Sequence, residues 1–230
     1  MDMKLSLQKI NDIPLFEGLG SDEIKEVLTK ANALIKHFQK SDYIFLAGDC
    51  VENLCVVING TVQMIKEDIW GEKSIIANLG AGSVFAENFL GRRGDRSIVS
   101  YFAASDSEIL MLPFGKMMSG GDNKLLQGKL AFNIVSVLAD NNTKLIEKTE
   151  ILCKKTLKGK IMAYLEQEAN NQGSRKVVVP FNRTDMANYL DADRSALTRE
   201  LSRMREEGLI DFEKNVFVLL DKKSGKKTEE

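Results

Sequence analysis

The chain has 230 residues, 43% hydrophobic and 28% charged, with a formal net charge of −1, the balance of a globular protein of one large or two modest domains. No apolar run approaches the roughly 20 residues of a membrane span, and the first twelve residues lack the basic and apolar regions of a signal peptide. Three cysteines (Cys50, Cys55, Cys153) are an odd number and fit a reducing compartment, so the chain reads as cytoplasmic, with no membrane partner.

Residues 5–36 read as helical. Leu7, Ile10 and Ile13 lead to Pro14, and Ser21-Asp22-Glu23-Ile24 opens a helix through Val27, Leu28, Ala31 and Leu34, with Ser21 as its N-cap. From His37 to Pro113 the apolar period falls to two. Strand-like runs are 43–46, 54–58, 61–65, 74–79, 98–102 and 108–112, with glycines at 48, 60, 71, 80 and 82 marking corners and Asn59-Gly60 as a hairpin turn. That pattern predicts a small antiparallel β-barrel or jelly roll, hence an α+β chain. A long helix follows, roughly 122–155. Along it Ala131, Val135, Leu138, Asn142, Leu145, Thr149 and Leu152 alternate at spacings of four and three, a heptad seam. Two readings fit this stripe: a homodimer, or a helix buried against its own barrel.

A further helix is predicted over 156–167, a polar loop over 170–174 and a short strand over 177–179. Then comes a two-helix pattern. Thr184 is placed to cap the first helix, Asp185 suits its first turn, and Met186, Ala187 and Leu190 share one face. Asp191-Ala192-Asp193 breaks the pattern. The second helix buries Ala196, Leu197, Leu201 and Met204 and stops at Gly208. Its open face holds Arg194, Ser195, Thr198, Arg199, Ser202, Arg203 and Arg205. Such a face suits a major groove, where arginine reads guanine edges and hydroxyls hold phosphates; it is also the composition of a solvated helical hairpin. Behind it lie two short apolar strands, 209–212 and 216–220, around Glu213-Lys214-Asn215. Charge divides accordingly: residues 153–230 carry 16 Lys+Arg against 13 Asp+Glu, and residues 1–152 carry 16 against 20.

Pro180-Phe181, Arg183, Ala187, Tyr189-Leu190, Asp193 to Leu197, Glu200 to Ser202, Met204 and Glu207 to Ile210 together resemble the DNA-binding domain of the Crp/Fnr transcription regulators. Gly48-Asp49, Asn59-Gly60 with Val62, and Gly82 through Glu87 are similar to the turns of that family's cyclic-nucleotide-binding fold. The resemblance spans about residues 14–220. It implies a sensor domain (1–120), a dimerisation helix (121–155) and a winged helix-turn-helix (156–222); the tail (223–230), charged and without an apolar anchor, is expected to be disordered. Implied partners are a second copy of the chain, a palindromic double-stranded operator and RNA polymerase. Arg183, Thr184, Arg194, Ser195, Thr198, Arg199 and Arg203 would meet DNA. Ser195 stands where many relatives carry a cytosine-reading glutamate, so the half-site is expected to differ there.

In the family's sensor a short helix cradles a cyclic phosphate, a Glu takes the ribose hydroxyl, and an Arg followed by a hydroxyl residue binds the phosphate. Ala86, Glu87, Asn88, Arg96 and Ser97 stand in those places, with Asn142 and Thr143 as the polar candidates on the long helix. Ala86 replaces the family's glycine, and Asn88 a leucine. Three readings of the cradle stay open: a cyclic nucleotide, another small effector, or no ligand, with Glu87 and Arg96 as an internal ion pair. An iron–sulfur cluster needs about four cysteines; haem would have to use the lone His37, which reads as a strand-entry residue. Thiol switching at Cys50, Cys55 or Cys153 competes with inert packing. One histidine and no phosphate-binding glycine loop leave no catalytic set. The rival to a DNA-binding regulator is a nucleotide-regulated enzyme subunit, and a further rival is a constitutive DNA-binding protein with a vestigial pocket.

Overall fold

The computed structural model describes residues 10, 12–87, 96–119 and 123–220. The expectations for Leu7, for Asn88 and for the tail 223–230 lie outside the described residues. The chain divides into two compact units, Met1–Lys144 and Leu145–Glu230, and the division falls inside one long helix.

In the first unit, a 3-10 turn at Pro14–Phe16 precedes helix α1 (Ser21–Lys30). The N-cap is Gly20 rather than Ser21, because Glu23 reaches back to accept from the Gly20 amide at 2.8 Å. The helix also ends earlier than predicted. Asn32 turns the chain at φ 50°, and Leu34 to Lys36 lie in strand β1 (Leu34–Phe38) instead. A short apolar run does not by itself separate helix from strand; the pairing partner does. That partner is β8 (Ser107–Pro113), with Leu34 opposite Met111 and Phe38 opposite Ser107.

The remaining strands are β2 (Tyr43–Phe45), β3 (Asn53–Asn59), β4 (Val62–Glu67), β5 (Lys73–Leu79), β6 (Val84–Phe85) and β7 (Ser100–Ala103). The two-residue β6 escaped sequence reading. These strands form two antiparallel four-stranded sheets, β1-β8-β3-β6 and β2-β7-β4-β5, not one closed barrel, so the jelly-roll form of the expectation holds. Strands β3 and β8 show why. Cys55, Val57, Ile109 and Met111 face the second sheet, while Leu54, Val56, Leu110 and Leu112 face the helices. A strand buried on both faces reads as a continuous apolar run. At Gly60 (φ 89°) an added Cβ would collide with the Asp106 carbonyl and Ser107, so the Asn59-Gly60 turn admits only glycine.

Helix α2 (Phe114–Ser119) leads to α3 (Lys124–Leu152). Leu126, Leu130, Ile134 and Val137 of α3 fill the helix-side core against Leu15, Phe16 and Val84. Buried Asn133 donates to the carbonyls of Leu15 (3.0 Å) and Glu17 (2.9 Å), tying α3 to the N-terminal turn.

In the second unit, Thr156 caps helix α4 (Leu157–Gln172) by accepting from the Gly159 amide. This helix takes in Asn170 and Asn171, expected as loop, and ends only where Gly173 adopts φ 59°. Strand β9 (Lys176–Val178), helices α5 (Arg183–Leu190) and α6 (Arg194–Glu206), and strands β10 (Ile210–Glu213) and β11 (Val216–Leu219) complete it. The sheet order is β10-β11-β9.

Candidate functional site

The helix-turn-helix is set by its caps. Asn182, not Thr184, caps α5: its Oδ1 accepts from the amides of Thr184 and Asp185 at 2.9 Å each. Asparagine outranks threonine at that position, and Thr184 becomes an exposed second residue of the helix. Asp191 takes the left-handed conformation (φ 51°) that ends α5, and Lys160 donates to the freed carbonyl of Leu190 at 3.1 Å. Helix α6 ends in a paired C-cap: the Gly208 amide donates to Arg205 O and the Leu209 amide to Met204 O. Leu197, Leu201 and Met204 are buried as expected.

The open face of α6 sorts into groups. Arg194, Ser195 and Arg199 are exposed and make no side-chain bond to another described residue. Thr198 donates back to Arg194 O (2.9 Å) and Ser202 to Thr198 O (3.2 Å), so both hydroxyl protons stay on the helix. Arg203 is paired with Glu207 at 3.0 Å, and Arg205 with Asp211 at 2.9 Å. Arg183 is half-buried and folded onto the wing, the hairpin of β10 and β11. There its guanidinium donates to Lys214 O at 2.6 Å and lies about 5 Å from the rings of Phe212 and Phe217.

Beneath α5 sits an aromatic cluster of Tyr164, Phe181 and Tyr189, with centroids 4.9–6.1 Å apart. The Lys148 ammonium lies 3.9 Å from the Tyr189 ring centre. Burial lowers its pKa to about 8 against the pull of Asp191. Nothing in the periodicity pointed to that buried lysine.

The effector cradle lies at the end of β6. Ala86 is fully buried at φ 66°, a conformation that favours glycine. Glu87 is 8% exposed, and burial raises its pKa. Its carboxylate accepts from Asn141 Nδ2 at 2.8 Å, and the same amide group lies 3.3 Å from Val84 O. Arg96 instead donates to Gly48 O at 2.7 Å, so among the described residues Glu87 and Arg96 do not form the internal ion pair considered above. Ser97 is buried and donates to Val99 O at 2.5 Å. Asn142 and Thr143 are exposed, and Thr143 bonds back to Ala139 O. Asn141 is the residue that reaches the cradle, and it was missed. The signal existed: it continues the packed stripe of Ile134 and Val137 at helical spacing. The Tyr101 hydroxyl is buried in the same core with no hydrogen-bond partner among the described residues, its ring 4.9 Å from Phe85.

Along α3 the seam residues Val135, Leu138 and Leu145 are 61%, 39% and 40% exposed, and Asn142 and Thr149 are exposed too; Ala131 and Leu152 are half-buried. Phe132 and Ile146 widen the stripe. Of the thiols, only Cys55 is buried, and burial pushes its pKa up, which keeps it protonated. Cys50 and Cys153 are exposed, against the packing expectation. His37 is exposed on β1 with Nδ1 3.4 Å from Glu108.

Residues 35–119 match the cyclic nucleotide-binding domain model and residues 159–224 the Crp-like helix-turn-helix domain model. The chain is 34% identical to the cyclic AMP receptor protein of Thermus thermophilus over 104 residues, which is 43% of this chain and 44% of that protein. It is 22% identical to the anaerobic regulatory protein of Bacillus subtilis over 91% of this chain and 89% of that one. Its fold is similar to that of the c-di-GMP-responsive global regulator CLP of Xanthomonas campestris, with a TM-score of 0.73, 17% identity, and coverage of 88% of this chain and 100% of that one. With a cyclic-nucleotide-binding-type sensor fold ahead of a Crp-like helix-turn-helix, the chain belongs to the Crp/Fnr superfamily of transcription regulators, which act by binding DNA.

Proposed function

We propose that the protein is a homodimer that binds a palindromic operator and is controlled by a small effector in its N-terminal cradle. The observation that carries the dimer is the division of α3 into two faces. Leu126, Leu130, Ile134 and Val137 are used up in the core of their own unit, while Val135, Leu138 and Leu145 are left open. That favours the seam reading over a helix whose single stripe packs on its own sheets. A two-fold pair presents two α6 helices to half-sites about 34 Å apart. Arg194 and Arg199 read base edges, Ser195 sets the base pair at which the half-site is this protein's own, and Thr184, Thr198 and Arg203 line the phosphates. The regulator works in the cytoplasm, by binding rather than catalysis, with RNA polymerase as a further partner.

Sedimentation equilibrium together with selection of bound sequences from random DNA tests this. A dimer and an inverted repeat are expected. A monomer, or recovery of single half-sites, overturns it.

A second reading is favoured by the cradle itself, where Ala86 fills the glycine position and Asn141 occupies Glu87. In that reading the pocket is closed and the regulator is constitutive. Thermal-shift screening with cyclic AMP, cyclic GMP, cyclic di-GMP and inorganic phosphate separates the two. A ligand that raises the midpoint, and loses this effect in Glu87→Gln, supports effector control; no shift with any of them supports the constitutive form.

A further inference from the structure

In a helix-turn-helix the direction of the second helix depends on how the link before it is held. Here the link is Asp191-Ala192-Asp193, and its two sides are held unequally. At the start of α6 the Asp193 side chain makes no capping bond. At the end of α5 the chain is bedded on its neighbours. Tyr189 packs against Tyr164 and Phe181, with the Lys148 ammonium 3.9 Å from its ring centre. Lys160, half-buried on α4, donates to two successive carbonyls, Leu190 O at 3.1 Å and Asp191 O at 3.4 Å. The left-handed backbone of Asp191 is an ordinary helix ending. The ammonium that reaches it from another helix is not part of that ending.

We infer that Lys160 is a positioning residue for base reading: by holding Leu190 O and Asp191 O it fixes where α6 starts, and so where Arg194 and Ser195 stand relative to α5. The inference rests on the DNA-binding reading of the helix-turn-helix. Apolar burial alone does not set that start. Leu190, Leu197 and Leu201 bring the two helices together, but the hydrophobic effect is non-directional, whereas two hydrogen bonds from one ammonium are directional. Leu190 is fully buried, so its carbonyl needs a partner, and a cation suits the last carbonyls of a helix. Only Ala192 and Asp193 separate the second held carbonyl from Arg194. With its ammonium engaged on these carbonyls, Lys160 acts through the turn rather than on a phosphate. Lys158 supplies the contrast. It bonds the Glu207 carboxylate beyond the far end of α6, and that pair is partly exposed, so screening weakens it and no backbone is held.

The test compares the affinity of the full chain for a fluorescent duplex recovered by selection with that for a random duplex, each read against salt concentration. Lys160→Met keeps the stem and removes the donors. The ratio of the two affinities should fall roughly tenfold per subunit, the discrimination of one base contact. The slope of log K against log salt should stay unchanged, since no phosphate contact is lost. Lys160→Arg keeps donors and should hold the wild-type ratio. So should Lys158→Met, which removes the same charge from the same helix. Thermal midpoints establish that each variant is folded; if Lys160→Met is not, Lys160→Gln, which keeps one neutral donor, takes its place in the comparison. An unchanged ratio in the folded variant overturns the inference and leaves Lys160 a merely structural cap. A slope lowered by about 0.9 per subunit overturns it by making Lys160 a phosphate contact. Equal loss of the ratio in Lys160→Arg or in Lys158→Met overturns it too. Wild-type protein without affinity for any duplex would instead refute DNA binding itself.

Discussion

Arg194 and Arg199 on α6 and Arg96 in the cradle are exposed arginines that the sequence reading assigned to ligands, and the molecule treats them differently. On α6 the heads are left open, because the helix starts after Asp193 and stops at the Gly208 turn, and its period decides which side chains face outward. In the cradle each matched side chain has turned onto its own protein: Arg96 to Gly48 O, Ser97 to Val99 O, Glu87 to Asn141. A helix face is specified locally. A cradle between strands depends on what the rest of the chain brings to it, and here α3 brings an amide that holds the carboxylate.

The contrast extends to charge, and that gives the largest expected effect. Glu87 and Lys148 are both buried ions, one in each unit. Lys148 titrates near 8 when folded against about 10.4 unfolded. Between those values the unfolded chain holds the proton and the folded chain does not, so stability rises with pH across that window and is lowest, for this group, below about 8. Across the whole window the gain should approach about 3 kcal/mol relative to Lys148→Met, which has no such window, and about 2 kcal/mol of it should appear between pH 7.5 and 10. Chemical denaturation of both proteins at pH 7.5 and 10 measures it; parallel pH profiles would show that Lys148 is solvated. Glu87 has the opposite sense. Its raised pKa means that stability is present at low pH and lost as pH rises above the ordinary glutamate range.

Next is Arg199→Ala. If the open head reads a guanine, specific binding should fall by about 1–3 kcal/mol with unfolding unchanged. Equal loss on specific and random duplexes would reassign it to the phosphates.

In the cradle, Asn141→Ala leaves Val84 O and the Glu87 carboxylate without their donor and should cost about 1–2 kcal/mol. Asn142→Ala, on the exposed side, should stay within about 0.5 kcal/mol by thermal unfolding. Equal effects would remove the distinction between the two asparagines.

The smallest expected change is Ala86→Gly. Relief of the left-handed backbone, about 1–2 kcal/mol, is offset by a lost buried methyl of about 0.8 kcal/mol and by glycine's freedom when unfolded, about 0.5–1 kcal/mol. A net effect under about 1 kcal/mol is expected in thermal unfolding. A large loss would show that the Ala86 methyl is needed for packing.

Much of this was legible in the residues. The apolar runs of β3 and β8 are local, and the stripe Leu197-Leu201-Met204, the open stripe on α3 and the arginines of α6 follow from a period of about 3.6, which a chain also carries locally. The cap of α5 was misread by two positions, because Asn182 and Thr184 are both good caps and only the backbone path selects between them. Leu34 was read as helix because its strand identity depends on Met111, far along the chain.

By itself, then, the sequence determined the helix faces and turn glycines, which are local properties, and carried a resemblance to DNA-binding regulators with a sensor fold. Only the tertiary structure decided which polar groups are spoken for. It placed Asn141 on Glu87, Arg183 on the wing and Lys148 over Tyr189. Each of these joins residues more than 25 positions apart, and no local period encodes such a meeting; what fixes it is the burial of the apolar faces that carry them.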